Sequence, residues 1–145
     1  MKSISKFLSF KPVIHETWTL RCGQLLKVLA SCHSLSRIES EITGDPLDVK
    51  MFESTKWSFF DDPTGTSKFE QVTPFVRQSQ ENGSDNEMEI AIAKQFTFSS
   101  ALLRMSVLCK TYGNDFMEVF AKGAPEKITT LCKPETSNAF SIICF

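Results

Sequence analysis

Between Glu89 and Glu126 the chain carries three strand-like runs joined by short turns, and this stretch constrains the fold more than any other. The first run is apolar-rich, Ile90-Ala91-Ile92-Ala93 continuing to Phe96-Thr97-Phe98. The second is Met105-Ser106-Val107-Leu108-Cys109, and the third is Phe116-Met117-Glu118-Val119-Phe120-Ala121. Turn residues Tyr112-Gly113-Asn114-Asp115 separate the last two. The third run ends at Lys122-Gly123-Ala124-Pro125-Glu126, where Gly123 permits close backbone approach and Pro125 suits the first turn of a helix. A strand, a cationic side chain, a glycine and a helix start can together hold an anion. Lys122 would act as a point charge, and the helix would supply free N–H groups.

The rest of the chain reads as helices first and strands after. Leu25, Leu26, Leu29 and Cys32 recur at helical spacing, which predicts a helix over Gly23–His33. Leu35–Thr43 reads as a connector. Asp45 can cap a second helix with Pro46 at its first position, burying Leu47, Met51 and Phe52. Asp48 falls in the first turn of that helix, where a carboxylate is favoured. Lys56–Phe60 reads as a strand and Asp61–Ser67 as a turn-rich loop. Phe69–Arg77 reads as a strand that Pro74 would place at a sheet edge. Gln78–Glu87 is a polar loop, and Pro125–Cys132 a short helix. No internal repeat is visible. The expected fold class is α+β, a largely antiparallel sheet flanked by helices.

Several functions are disfavoured by composition. At 145 residues and a net charge of −1, the chain has a one-domain length and no basic field for nucleic acid. Five cysteines, Cys22, Cys32, Cys109, Cys132 and Cys144, are odd in number and show no C-x-x-C. Neither a zinc site nor a disulfide framework is expected, and the pattern fits a reducing cytosol. No run reaches the roughly 18 apolar residues of a membrane helix. Asn82-Gly83-Ser84 matches a glycosylation acceptor that a cytosolic chain would not use. Phosphate-loop, dinucleotide, zinc-protease and nucleophile-elbow motifs are missing.

Three segments together carry a family resemblance. Lys122-Gly123-Ala124-Pro125-Glu126 resembles the K-G-A-P-E motif of the nucleotide-binding domain of P-type ATPases. Phe98-Ser99-Ser100-Ala101-Leu102-Leu103-Arg104-Met105-Ser106-Val107 resembles the F-S-x-x-x-x-x-M-S-V segment of that domain, and Gly44-Asp45-Pro46-Leu47-Asp48 its G-[DE]-[AP]-x-[DE] segment. They stand in the family's order. Their flanks are most similar to the type-five subclass, whose members include polyamine exporters of endosomes and lysosomes. The resemblance spans roughly Leu29 to Thr136. It implies a partial nucleotide-binding domain over 23–136, an atypical N-terminal segment over 1–22 and an atypical tail over 137–145.

The resemblance also implies a pocket. Phe98 would stack on adenine, Asp48 would accept from its amino group, and Lys122 and Gly123 would line the same wall. Arg104 would reach a phosphate. ATP is the implied cofactor, with Mg2+ only as bound to nucleotide. No catalytic residue and no metal ligand is expected here. Asp62-Pro63-Thr64-Gly65-Thr66 looks like the family's phosphorylated D-K-T-G-T, but Pro63 replaces Lys and the segment follows the Gly44 segment where the family's precedes it. It reads as a turn. The implied partners are the phosphorylation and actuator domains of the same pump, with no direct membrane contact by this chain. The chain alone is not expected to hydrolyse ATP. The other reading is a truncated, non-catalytic interaction protein.

Overall fold

The computed structural model describes residues 23–39, 41–61, 67–69, 74–78 and 87–134. The expectations for 1–22, for Asp62–Thr66, for most of Gln78–Glu87 and for the tail after Pro134 lie outside these residues.

The architecture is α+β, as the order of runs predicts. Helix α1 (Gln24–Ser31) and helix α2 (Pro46–Thr55) flank a hairpin, β1 (Ser36–Ile38) and β2 (Glu41–Thr43). Then come β3 (Ser58–Phe60), β4 (Phe75–Arg77), β5 (Glu89–Ser99), β6 (Arg104–Thr111), β7 (Glu118–Gly123) and the single-turn helix α3 (Pro125–Thr129). Strands β3 to β7 form one antiparallel sheet in sequence order.

Local chemistry sets the ends of these elements. Asp45 Oδ1 accepts from Leu47 N at 2.9 Å and Asp48 N at 3.4 Å, capping α2 ahead of Pro46. Such a cap is worth about 1 kcal/mol. The helix stops at Lys56, which takes the left-handed conformation at φ 57°. Gly113, at φ 83°, makes the turn between β6 and β7.

One face of the sheet carries the core. Phe59, Val76, Ile90, Val107 and Phe120 from the strands close on Leu26, Ala30 and Phe52 from α1 and α2. Along β6 the alternation is complete: Met105, Val107, Cys109 and Thr111 are buried, while the residues between them are only partly so.

Four expectations need correction. The Leu35–Thr43 connector contains the β1–β2 hairpin, turned at Glu39 with φ 50°, in strands too short to show a period. Leu47 is exposed, because position 47 turns outward on α2 while Met51 and Phe52 point in. Pro74 does not make an edge: β4 lies between β3 and β5, and Pro74 precedes the first paired residue, offering its carbonyl to Ile92 N at 2.7 Å. Its missing N–H therefore costs no ladder bond. Strand β3 also begins only at Ser58, since Lys56 closes α2.

Candidate functional site

Two of the motif segments meet across the core face. Lys122 is on β7 opposite Met105 of β6, so its side chain shares the buried face. Its ammonium pairs with Asp48 Oδ1 from the first turn of α2, 74 positions away in sequence. Both side chains are largely enclosed. The other carboxylate oxygen, Oδ2, accepts from Ser34 N at 3.3 Å. Ser34 Oγ in turn accepts from Gln95 Nε2 of β5 at 2.7 Å. The chain Gln95–Ser34–Asp48–Lys122 thus spans β5, the segment after α1, the start of α2 and β7.

Both glycines of the motifs are fixed by close approach. A Cβ on Gly123 would stand 2.4 Å from the Leu103 carbonyl oxygen and 2.7 Å from Arg104 Cα. Leu103 itself is left-handed at φ 51°, and its carbonyl accepts from Ala124 N at 2.9 Å. The Lys122–Pro125 corner is therefore held against the β5–β6 turn. A Cβ on Gly44 would meet Leu35 Cδ2 at 2.7 Å and the Ser34 carbonyl at 3.2 Å, so Gly44 seats the segment that holds Asp48.

Phe98 reaches the same face by an irregular route. Ile92 pairs with Cys109 but Lys94 with Leu108, so Ala93 is an extra residue. Phe96 pairs with Ser106 and Ser99 with Arg104, so Thr97 and Phe98 together oppose Met105. Each bulge reverses the alternation. The first turns Phe96 to the outer face, and the second brings Phe98 back to the face of Met105 and Lys122. Phe98 is 59% exposed. One strand, β6, lies between it and Lys122, so the two stand two inter-strand spacings apart, about 10 Å. Phe96, in the same run as Phe98, is 50% exposed and lies under the Lys94 ammonium at 5.2 Å.

Arg104 is not brought to the ion pair. It pairs in register with Gly123 at the start of β6 and alternates with Met105, so its side chain leaves on the other face. The site residues that sequence reasoning missed are Ser34 and Gln95. Neither carried a motif, and a lone Ser and a lone Gln look like ordinary surface residues.

The floor of this region is chemically quiet. His33 donates from Nε2 to Ala30 O at 2.9 Å and accepts at Nδ1 from Leu35 N at 3.3 Å, between the rings of Phe52 and Phe59. Burial pulls its pKa down to about 4, so it is a neutral structural imidazole. Burial pushes the Cys32 thiol up to about 12 and Cys109 to about 11, which leaves neither as a nucleophile.

No family model matches the chain. Curated relatives do. Human Polyamine-transporting ATPase 13A2 is 40% identical over 134 residues, covering 88% of this chain and 11% of that protein. Mouse Polyamine-transporting ATPase 13A3 is 41% identical over 132 residues, covering 79% of this chain and 11% of that protein. The Probable cation-transporting ATPase catp-6 of Caenorhabditis elegans is 38% identical, covering 79% and 9%. The chain is thus homologous to one stretch of the P-type ATPases. Within them it belongs with the type-5 group, the 13A family. It spans about a tenth of the length of the curated relatives it matches. Among the described residues, no helix is long and apolar enough to cross a membrane.

Proposed function

We propose that this chain is the ATP-binding part of a type-5 P-type ATPase, a nucleotide-binding domain in partial form. The observation that carries the reading is the ion pair between Lys122 and Asp48. Each belongs to a different motif segment, and the fold joins them on one face with Phe98 two strands away. Adenine would stack on Phe98, its amino group would donate to Asp48, and Lys122 and Gly123 would form the opposite wall. Arg104, whose side chain leaves on the other face of the sheet, is left out of this pocket. Mg2+ would arrive bound to nucleotide.

The chemistry available here is positioning. Phosphoryl transfer needs nucleophile, metal and nucleotide aligned together, and this site would contribute the last. In the whole pump the phosphorylation domain would supply the acceptor and the actuator domain its release. The domain would work at the cytosolic face of an intracellular membrane, in the service of polyamine or cation transport. Titration of the full chain with ATP, followed by NMR, tests the reading: shifts should cluster at Asp48, Phe98 and Lys122. Shifts absent from all three at millimolar ATP would overturn it.

A further inference from the structure

The Asp48 carboxylate is held at both oxygens, and only one holder belongs to a motif. Lys122 takes Oδ1, while the Ser34 N–H takes Oδ2 at 3.3 Å. A carboxylate oxygen has two acceptor positions, so Oδ2 keeps one for a ligand. Where that free position points depends on where Ser34 sits.

Ser34 is fixed from two sides. Beneath it, His33 is anchored to Ala30 O, and Gly44 packs against the Ser34 carbonyl with no room for a Cβ. From the sheet, Gln95 Nε2 donates to Ser34 Oγ at 2.7 Å. Gln95 can do this because the bulge at Ala93 puts it opposite Val107, on the inner face. It stands on β5, the strand that also carries Phe98, so one strand would carry both the stacking ring and the brace for the hydrogen-bond acceptor.

We infer that Ser34 and Gln95 are positioning residues that aim Asp48 Oδ2 at the exocyclic amine of adenine and so set base selectivity; this rests on the nucleotide reading above. Adenine presents a donor at that position, whereas hypoxanthine presents a carbonyl oxygen. An acceptor held in place rewards the first and repels the second, and an acceptor free to swing discriminates less.

The test is the ratio of ITP to ATP dissociation constants, measured by calorimetry on the full chain. Gln95→Leu should lower the ratio threefold to tenfold, roughly the span of one lost hydrogen bond, with the melting temperature unchanged. Ser34→Ala should act in the same direction, and Ser34→Thr, which keeps the hydroxyl, should restore the ratio. Parallel weakening of both nucleotides, an unchanged ratio in both variants, or a wild-type ratio near one would overturn the inference while leaving nucleotide binding standing. A wild-type chain that binds neither nucleotide would instead overturn the nucleotide reading, and the inference with it.

Discussion

Glu118 and Lys122 lie on the same face of β7, on either side of Phe120, and each fastens a different helix. Glu118 receives Lys27 of α1 at 2.9 Å, and Lys122 pairs with Asp48 of α2. Their pairing partners on β6 are Cys109 and Met105, which confirms the shared face. The two ion pairs have opposite polarity: the strand gives an acid at one end and a base at the other. Docking either helix at the wrong end would bring like charges together, which gives the arrangement a register-setting character.

The Lys27–Glu118 pair should be structural. Both side chains are about nine-tenths enclosed, and Thr111 Oγ1 donates to the same carboxylate at 2.8 Å. Lys27→Met would leave Glu118 buried without its cation. The expected loss is about 3 kcal/mol in urea denaturation. Converting both partners to apolar residues, Lys27→Met with Glu118→Leu, should recover most of it. A single variant as stable as wild type would show that the pair carries no such weight.

Acid should weaken the fold before its carboxylates titrate. The folded pKa of His33 is about 4, against an ordinary value of 6.5. Between these values the unfolded chain binds a proton and the folded chain does not, so stability rises with pH across that window. Going from pH 7 to pH 4 should cost on the order of 3 kcal/mol from this group, and its loss levels off as pH falls through the folded pKa. Glu118 adds a separate loss at lower pH. Burial pushes that carboxyl up, but hydrogen bonds from Lys27, Thr111 and Gln24 outweigh burial and hold it below its ordinary value. Its contribution is present above the unfolded carboxylate pKa and disappears as pH falls through the folded one. Urea midpoints at pH 7 and pH 5 should differ in wild type and converge in His33→Gln, which keeps a donor and an acceptor but does not titrate. An unchanged slope in that variant would assign the acid sensitivity elsewhere.

The two motif glycines should differ in their tolerance of a methyl group. Gly123→Ala drives a Cβ into backbone, 2.4 Å from the Leu103 carbonyl oxygen, so the turn itself must move. A cost of about 1–3 kcal/mol is expected. Gly44→Ala meets first the Leu35 side chain, which can rotate, and should cost less. Thermal melts of the two variants give the order directly. The reverse order would mean that the Lys122–Pro125 corner is freer to shift than its packing indicates.

The α+β class and most of the β5–β7 sheet were legible because alternation, turn residues and length agree there. The cap at Asp45 and the start of α2 were legible for a similar reason, since Asp-Pro before an apolar residue has a local mechanism. Relationships with no local trace could not be read. Lys27 and Glu118 are 91 positions apart, and nothing near either one announces the other. The bulges in β5 are also silent in sequence: Ala93 and Thr97 look like any strand residues, yet each reverses the facing of the residues C-terminal to it. A straight strand would have put Phe96 and Phe98 on one side, so the pattern alone could not separate them.

That separation leads to the sharpest expectation for the candidate pocket. The family resemblance assigns the ligand contact to Phe98 and gives no role to Phe96. The structure exposes both but turns them to opposite faces, so Phe96→Leu should change stability by no more than about 0.5 kcal/mol, as befits a half-exposed position. It should leave ATP affinity alone, because its ring faces away from Lys122. Phe98→Leu should also keep the melting temperature, since the ring is exposed and the replacement retains apolar volume. Yet it should lose roughly 1–2 kcal/mol of ATP binding, the contribution of stacking on one base. Paired calorimetry and thermal melts on the two variants separate the possibilities. If Phe96→Leu weakens ATP and Phe98→Leu does not, the base stacks on the outer face, and the pocket does not include the Asp48–Lys122 pair.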